Sequence, residues 1–397
     1  MRKFEGIKRM KGEFLSTAKY FFELLRYSVG ETQFSGGKVP EKPEDVEWKN
    51  IFGLAEMHYL SALLWNAVKG LEAPPEKEIA DAWSFAYLNA INLDVQQQFA
   101  WEELKSEIAG KGMRLMAIKG TQLKKLYPDP ALRVMSDMDI VYEKEKFPAL
   151  KDVLIELGYE FDKKTLENKH QIFHRQPVML EMHREMIDEV LTYSEYYKDV
   201  WSFGEKTAEE NVWKLTNENE YVFLVLHARK HYKWKGNGVR TLADLWLFLK
   251  AYESTLDWEK VYSEIAKADT QAVELGNADG ISLADYEKLL RKEVQNVFAT
   301  SEIELDEELL EMLSDGVYGR IEKQWANEVR KKGKFRYLMR RLFPSYKAMK
   351  QAYPVVGKCP ILLPFVWVFR WFKGLFRGKQ IKREMDCINQ ANKEKKE

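Results

Sequence analysis

The stretch that decides the fold is Ser136-Asp137-Met138-Asp139-Ile140-Val141. Acidic and apolar residues alternate in it, which predicts a β-strand, because side chains two positions apart on a strand point to the same face. Asp137 and Asp139 would share one face, while Met138 and Ile140 would face a core. Two carboxylates held this close repel each other unless a cation lies between them, and Mg²⁺ prefers such oxygen ligands. The stretch therefore predicts a strand that carries a magnesium site.

Two further motifs lie upstream and downstream of this strand. Ile118-Lys119-Gly120-Thr121 is typical of a strand end that leads into a helix, where glycine lets a phosphate approach the backbone and the first helical N–H groups. Leu180-Glu181-Met182-His183 places Glu181 and His183 on one strand face, and Glu181 would add a third carboxylate. Each motif alone also fits an ordinary turn or a solvated strand face. Their order within one segment is what favours a functional site.

The segment from residue 114 to residue 185 has short apolar runs with β-branched residues between helical patterns, as in an α/β unit. We expect five pieces in it, namely two strands, two helices and a hairpin. The strands are Arg114–Ile118 and Met138–Tyr142, and the helices are Gly120–Leu126 and Lys146–Leu157. The hairpin pairs His170–Arg175 with Val178–His183.

Helical patterns flank this segment on both sides. Apolar residues recur at helical spacing from residue 14 to residue 109, with a Gly-, Pro- and charge-rich break at 31–49, and again after Thr192. The expected fold class is therefore α+β. We expect an N-terminal helical region, an α/β core, a C-terminal helical domain and a basic tail, at residues 1–92, 93–200, 201–329 and 330–397.

The order of the motifs resembles the nucleotidyltransferase superfamily that includes DNA polymerase beta. Its pattern is a Gly-Ser or Gly-Gly turn, an Asp-x-Asp strand and a later acidic strand. Residues 90–250 resemble more closely an uncharacterised bacterial nucleotidyltransferase-like family that begins with Lys-Gly, although the turn here continues with Thr121. The matching positions are Lys119-Gly120, Tyr127-Pro128, Arg133, Asp137, Asp139, Gly158-Tyr159, His170, Glu181, His183, His227, His231, Arg240 and Asp244.

The resemblance implies a palm-type mixed sheet and a metal-dependent enzyme that moves a nucleoside monophosphate from an NTP, such as ATP, to a hydroxyl acceptor and releases pyrophosphate. Three residues would be catalytic and would bind Mg²⁺ or Mn²⁺: Asp137, Asp139 and Glu181. Four residues would bind the nucleotide: Lys119, Gly120, Thr121 and Arg133. His183 would either line the acceptor site or hydrogen-bond behind Glu181, and the sequence leaves both open.

Two other functions fit the same residues. The chain could keep the fold as a non-catalytic, membrane-peripheral module that binds a nucleotide or a partner. It could also be a toxin that modifies tRNA. Arg240 and Asp244, four residues apart, fit an ion pair on the surface of a helix in addition to the family pattern.

The charge of the chain is balanced overall but uneven along its length. The 397 residues include 62 basic and 62 acidic ones, whereas residues 330–397 hold 19 basic and 4 acidic ones. Aromatic residues lie among these cations, and the longest apolar run there, Ile361–Phe369, is too short to span a bilayer. We predict a peripheral contact of residues 361–397 with an anionic membrane. The alternatives are packing against the acidic rest of the chain and, less favoured, binding to RNA.

The location predicted from the sequence is the cytoplasm, with membrane-peripheral attachment as an extension of it. The chain has only two cysteines, Cys359 and Cys387, which argues against a disulfide framework and fits a reducing compartment. The first residues include Glu5 and Glu13 and form no apolar stretch of the kind that a secretion signal needs.

Overall fold

The computed structural model describes residues 2–166, 170–186, 193, 196–234, 236–274, 281–316, 321–346, 349, 353–375 and 378–394. The chain divides into two compact units. The first comprises Met1–Lys230 and Asn237–Val317, and the second comprises His231–Gly236 and Tyr318–Glu397. The boundaries expected at residues 92, 200 and 329 stay predictions.

A seven-stranded mixed sheet lies in the first unit. Its strands, β1 to β7 in chain order, are Leu115–Ala117, Met138–Tyr142, Glu160–Phe161, His170–Arg175, Val178–His183, Gly204–Lys206 and Val212–Leu215. Their order across the sheet is β3-β4-β5-β2-β1-β7-β6. The pairs β2/β5 and β1/β7 are parallel, and the other neighbours are antiparallel.

The helices α1 to α11 precede, separate and follow the strands in the sequence and give the expected α+β class. In chain order they are Arg2–Ser28, Trp48–Met57, Ser61–Val68, Lys77–Ile108, Gly120–Leu123, Phe147–Glu156, Asn217–Trp234, Arg240–Tyr252, Trp258–Glu274, Leu283–Phe298 and Glu307–Asp315. Side-chain caps fix the starts of α10 and α11, where Ser282 and Asp306 accept hydrogen bonds from backbone N–H groups.

The strands expected between residues 114 and 185 are confirmed, but three strands were missed, namely the two-residue β3 within this segment and β6 and β7 after it. Met138–Tyr142 and the hairpin of β4 and β5 have the predicted bounds. The expectation that the chain after Thr192 is helical is wrong at β6 and β7, which extend the sheet beyond β1. These strands have three and four residues, too few for alternation to be visible, and they form because β7 pairs with β1.

One face of the sheet packs against α4 and α6. Met138, Ile140 and Tyr142 of β2 lie in a core cluster that also contains Leu104 of α4 and Leu154 of α6. The predicted inward direction of Met138 and Ile140 is therefore confirmed. Because strand side chains alternate, the residues between them project from the opposite face of the sheet, where the candidate site lies.

The second unit contains the helices α12 to α16, namely Ile321–Lys332, Lys334–Leu342, Pro354–Lys358, Leu363–Leu375 and Gly378–Glu394. Trp325 and Val329 of α12 pack with Ile388 of α16 in a small core. The Tyr337 hydroxyl donates a hydrogen bond of 2.6 Å to Glu384 in this unit. Among the helices that the structure describes, none is long and apolar enough to traverse a lipid bilayer.

Candidate active site

The turn after β1 has an unusual backbone at Lys119. Its φ of 53° and ψ of −124° belong to a region that non-glycine residues rarely adopt, and residues held this way tend to cluster at functional sites. The turn directs the Lys119 ammonium to Asp139, with 2.7 Å between Nζ and Oδ1. Its strained backbone therefore places a cation among the carboxylates of the neighbouring strands.

Gly120 is needed for close packing in this turn. A Cβ atom at this position would overlap Met135 Sδ and Arg133 Nη1. The next residue, Thr121, is buried, and its Oγ1 has no hydrogen-bond partner within the part of the chain that the structure describes. Buried hydroxyls are nearly always satisfied, so Thr121 marks a place where a further group could be accommodated.

The three predicted acidic residues come together beside this turn. Asp139 of β2 and Glu181 of β5 are direct partners in the parallel pairing of these strands. Asp137 precedes β2 by one residue and lies close enough to Glu181 to raise the pKa of that carboxyl. Asp137 and Glu181 are partly exposed, whereas Asp139 is buried. The convergence of the acids, expected from spacing and order, is observed.

Asp139 is stabilised as an anion despite its burial. Burial alone would raise the pKa of its carboxyl, but the Lys119 ammonium and hydrogen bonds from Lys119 and His183 outweigh burial and hold the pKa well below its usual range. His183 Nε2 lies 2.8 Å from Asp139 Oδ1. Burial lowers the pKa of His183, so the neutral ring donates this hydrogen bond at neutral pH.

The pKa of the Glu181 carboxyl is shifted in the opposite direction from that of Asp139. Burial raises the pKa of its carboxyl to about 7, and the nearby anions of Asp139 and Asp137 add to this effect while Lys119 opposes it. One ammonium therefore does not fully offset the charge of three carboxylates. A bound cation would favour the ionised form of Glu181.

His170 is a site residue to which the sequence analysis gave no role. Its Nδ1 lies 3.3 Å from Glu181 Oε1, and His183 Nε2 lies 3.5 Å from the same oxygen. The sequence could have shown that His170 lies beside His183, because a hairpin closed by Gln176-Pro177 pairs residue 170 with residue 183. His170 appeared there only as a position of the family pattern.

Arg133 and Asp244 form a buried bidentate pair, with 2.7 Å from Nε to Oδ1 and 2.8 Å from Nη2 to Oδ2. The Tyr127 hydroxyl donates a third hydrogen bond to Asp244, at 2.8 Å. The pair of Arg240 with Asp244, read from their spacing, is therefore part of a buried network: burial raises the pKa of Asp244, and the charges of Arg133 and Arg240 outweigh burial and lower it. Arg240 Nη1 also donates a hydrogen bond to the Val134 carbonyl oxygen, at 3.0 Å.

Comparison with known proteins identifies the family. A family model described as uncharacterised nucleotidyltransferase matches residues 44–276, more than half of the chain. The chain belongs to this nucleotidyltransferase family. Among solved structures, the antibiotic-resistance factor ANT(2'')-Ia is similar at 14% identity and a TM-score of 0.35, over 46% of this chain and 96% of that chain. No curated protein matches the sequence.

Family membership makes the chain a nucleotidyltransferase-type enzyme with a nucleotide substrate, and it confirms the resemblance seen in the sequence. Within this nucleotidyltransferase, the structure places the three acids, Lys119, Gly120 and His183 in one site. Thr121 follows in the same turn, and Arg133 Nη1 lies against Gly120. The roles predicted for these residues stay predictions.

Proposed function

We propose that this nucleotidyltransferase uses Mg²⁺ or Mn²⁺ to move a nucleoside monophosphate from an NTP to a hydroxyl of its acceptor, with release of pyrophosphate. The observation that carries the proposal is the convergence of Asp137, Asp139 and Glu181 on one face of β2 and β5. Three carboxylates on neighbouring strands are a suitable ligand set for hard divalent cations.

The donor atoms fit such a cation. All three residues offer carboxylate oxygens, and the raised pKa of Glu181 reflects burial and negative charge that a divalent ion would offset. Asp137, Asp139 and Glu181 would hold the metal. When bound, divalent ions would neutralise the triphosphate and lower the pKa of the acceptor hydroxyl.

The turn after β1 would bind the phosphates. The backbone of Gly120 and Thr121 would approach the β- and γ-phosphates, and the Thr121 hydroxyl has a hydrogen bond to give. Lys119 would contribute positive charge from its place beside Asp139. A contact of Arg133 with phosphate rests on the position of Nη1 beside Gly120, since Nε and Nη2 bond to Asp244.

His183 has two proposed roles, and the geometry supports one of them more strongly. Its Nε2 is committed to Asp139, with a longer approach to Glu181. We therefore propose that His183 positions these carboxylates rather than lining the acceptor site. Such a positioning role predicts weaker metal binding on substitution, with little change in preference between acceptors.

The test is calorimetric titration of the four common NTPs with Mg²⁺ into the wild-type protein and into Asp137→Asn/Asp139→Asn. We expect metal-dependent binding to the wild type and its loss in the double variant. Asp152→Asn/Glu156→Gln, on the exposed side of α6, is the matched control and should bind normally. If no NTP binds, or if the double variant binds as well as the wild type, the proposal fails.

The alternative functions separate in further measurements. A non-catalytic module would release no pyrophosphate with any acceptor, whether it binds a nucleotide or a partner. A tRNA-modifying toxin would arrest growth on expression, and Asp137→Asn would relieve the arrest. Substitution of Asp137 would abolish transfer by an enzyme but would leave the function of a non-catalytic module intact.

We also propose that residues 361–397 contact the anionic surface of a membrane from the cytoplasm. Residues 376, 377 and 395–397 of this segment lie outside the described residues. Phe365, Val368 and Phe372 recur at helical spacing on α15 and are exposed, Phe365 to 69% and Phe372 to 63%. Together with the excess of basic residues in 330–397, this exposed apolar face supports an interfacial helix.

The membrane proposal is tested by co-sedimentation with vesicles of neutral lipid and with vesicles that contain anionic lipid. We expect the wild type to bind the anionic vesicles and Phe365→Ser/Phe372→Ser to lose binding. Phe335→Ser removes an aromatic ring that is 75% exposed outside this segment and serves as control. Equal binding by the double variant and the control would refute the proposal.

A further inference from the structure

We propose that His170, Glu181 and His183 form a binding site for a divalent transition metal of the Zn²⁺ class. One possible ligand atom from each residue lies within 4.8 Å of those from the other two. The proposal goes beyond the nucleotidyl transfer proposed above and does not depend on it.

The sheet brings the three side chains together. Glu181 and His183 are two residues apart on β5 and therefore share a face. His170 on β4 is the direct antiparallel partner of His183. The ring centroids of the two histidines are 5.6 Å apart. The group is thus built on two paired strands, which position ligands more precisely than loops do.

The distances suit a tetrahedral ion. Bonds of about 2.0–2.2 Å from Zn²⁺ to nitrogen and oxygen place neighbouring tetrahedral ligands about 3.3–3.5 Å apart. His170 Nδ1 is 3.3 Å from Glu181 Oε1, and His183 Nε2 is 3.5 Å from this oxygen. These two distances between ligand atoms therefore already match those expected around a tetrahedral Zn²⁺ ion.

The ligand chemistry distinguishes this site from the proposed magnesium site. Two imidazole nitrogens and one carboxylate oxygen suit Zn²⁺ and related ions, whereas Mg²⁺ prefers oxygen ligands alone. Two histidines and a glutamate, with the fourth position left to water or substrate, are one of the ligand sets of catalytic zinc. The site would accordingly bind Zn²⁺ in the presence of excess Mg²⁺.

The surroundings of His183 permit this binding. Metal ligation by Nε2 would require the single ring proton to move to Nδ1, and it would replace the hydrogen bond to Asp139. Asp139 would keep the Lys119 ammonium 2.7 Å from Oδ1, so its charge would stay balanced. Glu181 would be shared between this site and the acidic triad. Binding of Zn²⁺ would then change the ligands available to Mg²⁺.

The experiment is calorimetric titration of Zn²⁺, without nucleotide, into the metal-stripped full-length protein. We expect one Zn²⁺ per chain and a Kd at least tenfold weaker in His170→Ala. The control is His174→Ala, which removes a histidine from the same strand and the same strand face outside the group. Its Kd should equal that of the wild type, and excess Mg²⁺ should not displace the ion.

A second measurement uses Co²⁺ as a spectroscopic substitute for Zn²⁺. Nitrogen-ligated Co²⁺ of low coordination number should give visible absorption bands in the wild type and in His174→Ala but not in His170→Ala. Thermal unfolding in a chelator checks that the variants are folded, and His170→Gln replaces His170→Ala if the latter is not. Absence of saturable Zn²⁺ binding to folded wild type, or equal affinity in a folded His170 variant, would overturn the proposal. Because no nucleotide is present, neither result depends on nucleotidyl transfer.

Discussion

Asp139 and Glu181 lie directly opposite each other on the parallel strands β2 and β5, and their environments act on their acidities in opposite directions. Lys119 and His183 hold the pKa of Asp139 low, whereas burial and the nearby anions raise the pKa of Glu181 to about 7. A single lysine thus compensates only part of the charge on this face of the sheet. Several consequences for stability and binding can be measured.

Substitution of Lys119 should make the stability of the fold depend on Mg²⁺. Lys119→Met leaves the buried Asp139 without its ammonium, and loss of one partner of a buried pair costs about 3–5 kcal/mol. We expect Mg²⁺ to recover part of this loss, since it can neutralise the same carboxylates. Thermal unfolding in chelator and in excess Mg²⁺ measures the recovery.

Lys124→Met is the matched control for this experiment. Lys124 pairs with Asp94, which is not a member of the acidic triad, and both side chains are buried. The variant should lose stability as well, but Mg²⁺ should not restore it. An equal response of both variants to Mg²⁺ would argue against a cation site at Asp139.

A methyl group at Gly120 should strain the turn. In Gly120→Ala the new Cβ would overlap Met135 and the Arg133 guanidinium, which Asp244 holds in place. Overpacking of this kind costs about 1–3 kcal/mol, and the displaced turn should also weaken NTP binding. Chemical denaturation and calorimetry measure the two effects.

Gly53→Ala provides the comparison, because Gly53 lies inside α2 and a Cβ there meets no atom within 4 Å. This variant should be more stable than the wild type by about 0.5–1 kcal/mol, since alanine is more favourable than glycine inside a helix. If both alanine variants were equally stable, the packing explanation for Gly120 would be wrong.

The pair of Arg133 and Asp244 should contribute mainly to stability. Arg133→Met and Asp244→Asn should each destabilise by about 3–5 kcal/mol, and the double variant by less than their sum. Tyr127→Phe removes one hydrogen bond to Asp244 and should cost about 1 kcal/mol. Urea denaturation of the single and double variants gives the free energies of unfolding for this double-mutant cycle.

NTP affinity separates the structural role of Arg133 from a contact with phosphate. If Arg133 only holds Asp244, then Arg133→Met and Asp244→Asn should lower NTP affinity equally. A larger loss in Arg133→Met would support the predicted contact with the nucleotide. Calorimetry at a temperature where both variants are folded makes the comparison.

His58 should make stability depend on mildly acidic pH. Its Nδ1 accepts a hydrogen bond from Val239 N–H and its Nε2 donates to the Leu313 carbonyl, so the fold uses the neutral ring. Burial, above all, lowers the pKa of His58 to about 4, below the value of about 6.5 expected for the unfolded chain. The unfolded chain therefore binds the extra proton first as the pH falls.

The neutral His58 ring contributes up to about 3 kcal/mol to the free energy of unfolding. This contribution is fully present above pH ~6.5 and is lost as the pH falls toward about 4. Denaturation at a series of pH values in this window should show a steeper loss in the wild type than in His58→Gln. The same slope in both proteins would show that His58 is not the group responsible.

The sequence by itself determined the local elements of this protein and the faces of its strands. The alternation in 136–141 is enough to place Asp139 opposite the core, because the faces of a strand depend only on its own dihedral angles. The hairpin of β4 and β5 was equally local, since a two-residue connection fixes its register. The order of motifs also indicated the family, which the comparison confirms.

The tertiary structure decided which of these elements are neighbours. β7 is a strand because it pairs with β1, about a hundred residues earlier, and its own four residues carry too little pattern to show it. Asp244 forms its bidentate pair with Arg133, 111 positions away, in addition to the attraction of Arg240 one helical turn away. Such pairings depend on packing between distant segments, which residue spacing along one element does not encode, and the same packing sets the opposite shifts in the pKa values of Asp139 and Glu181.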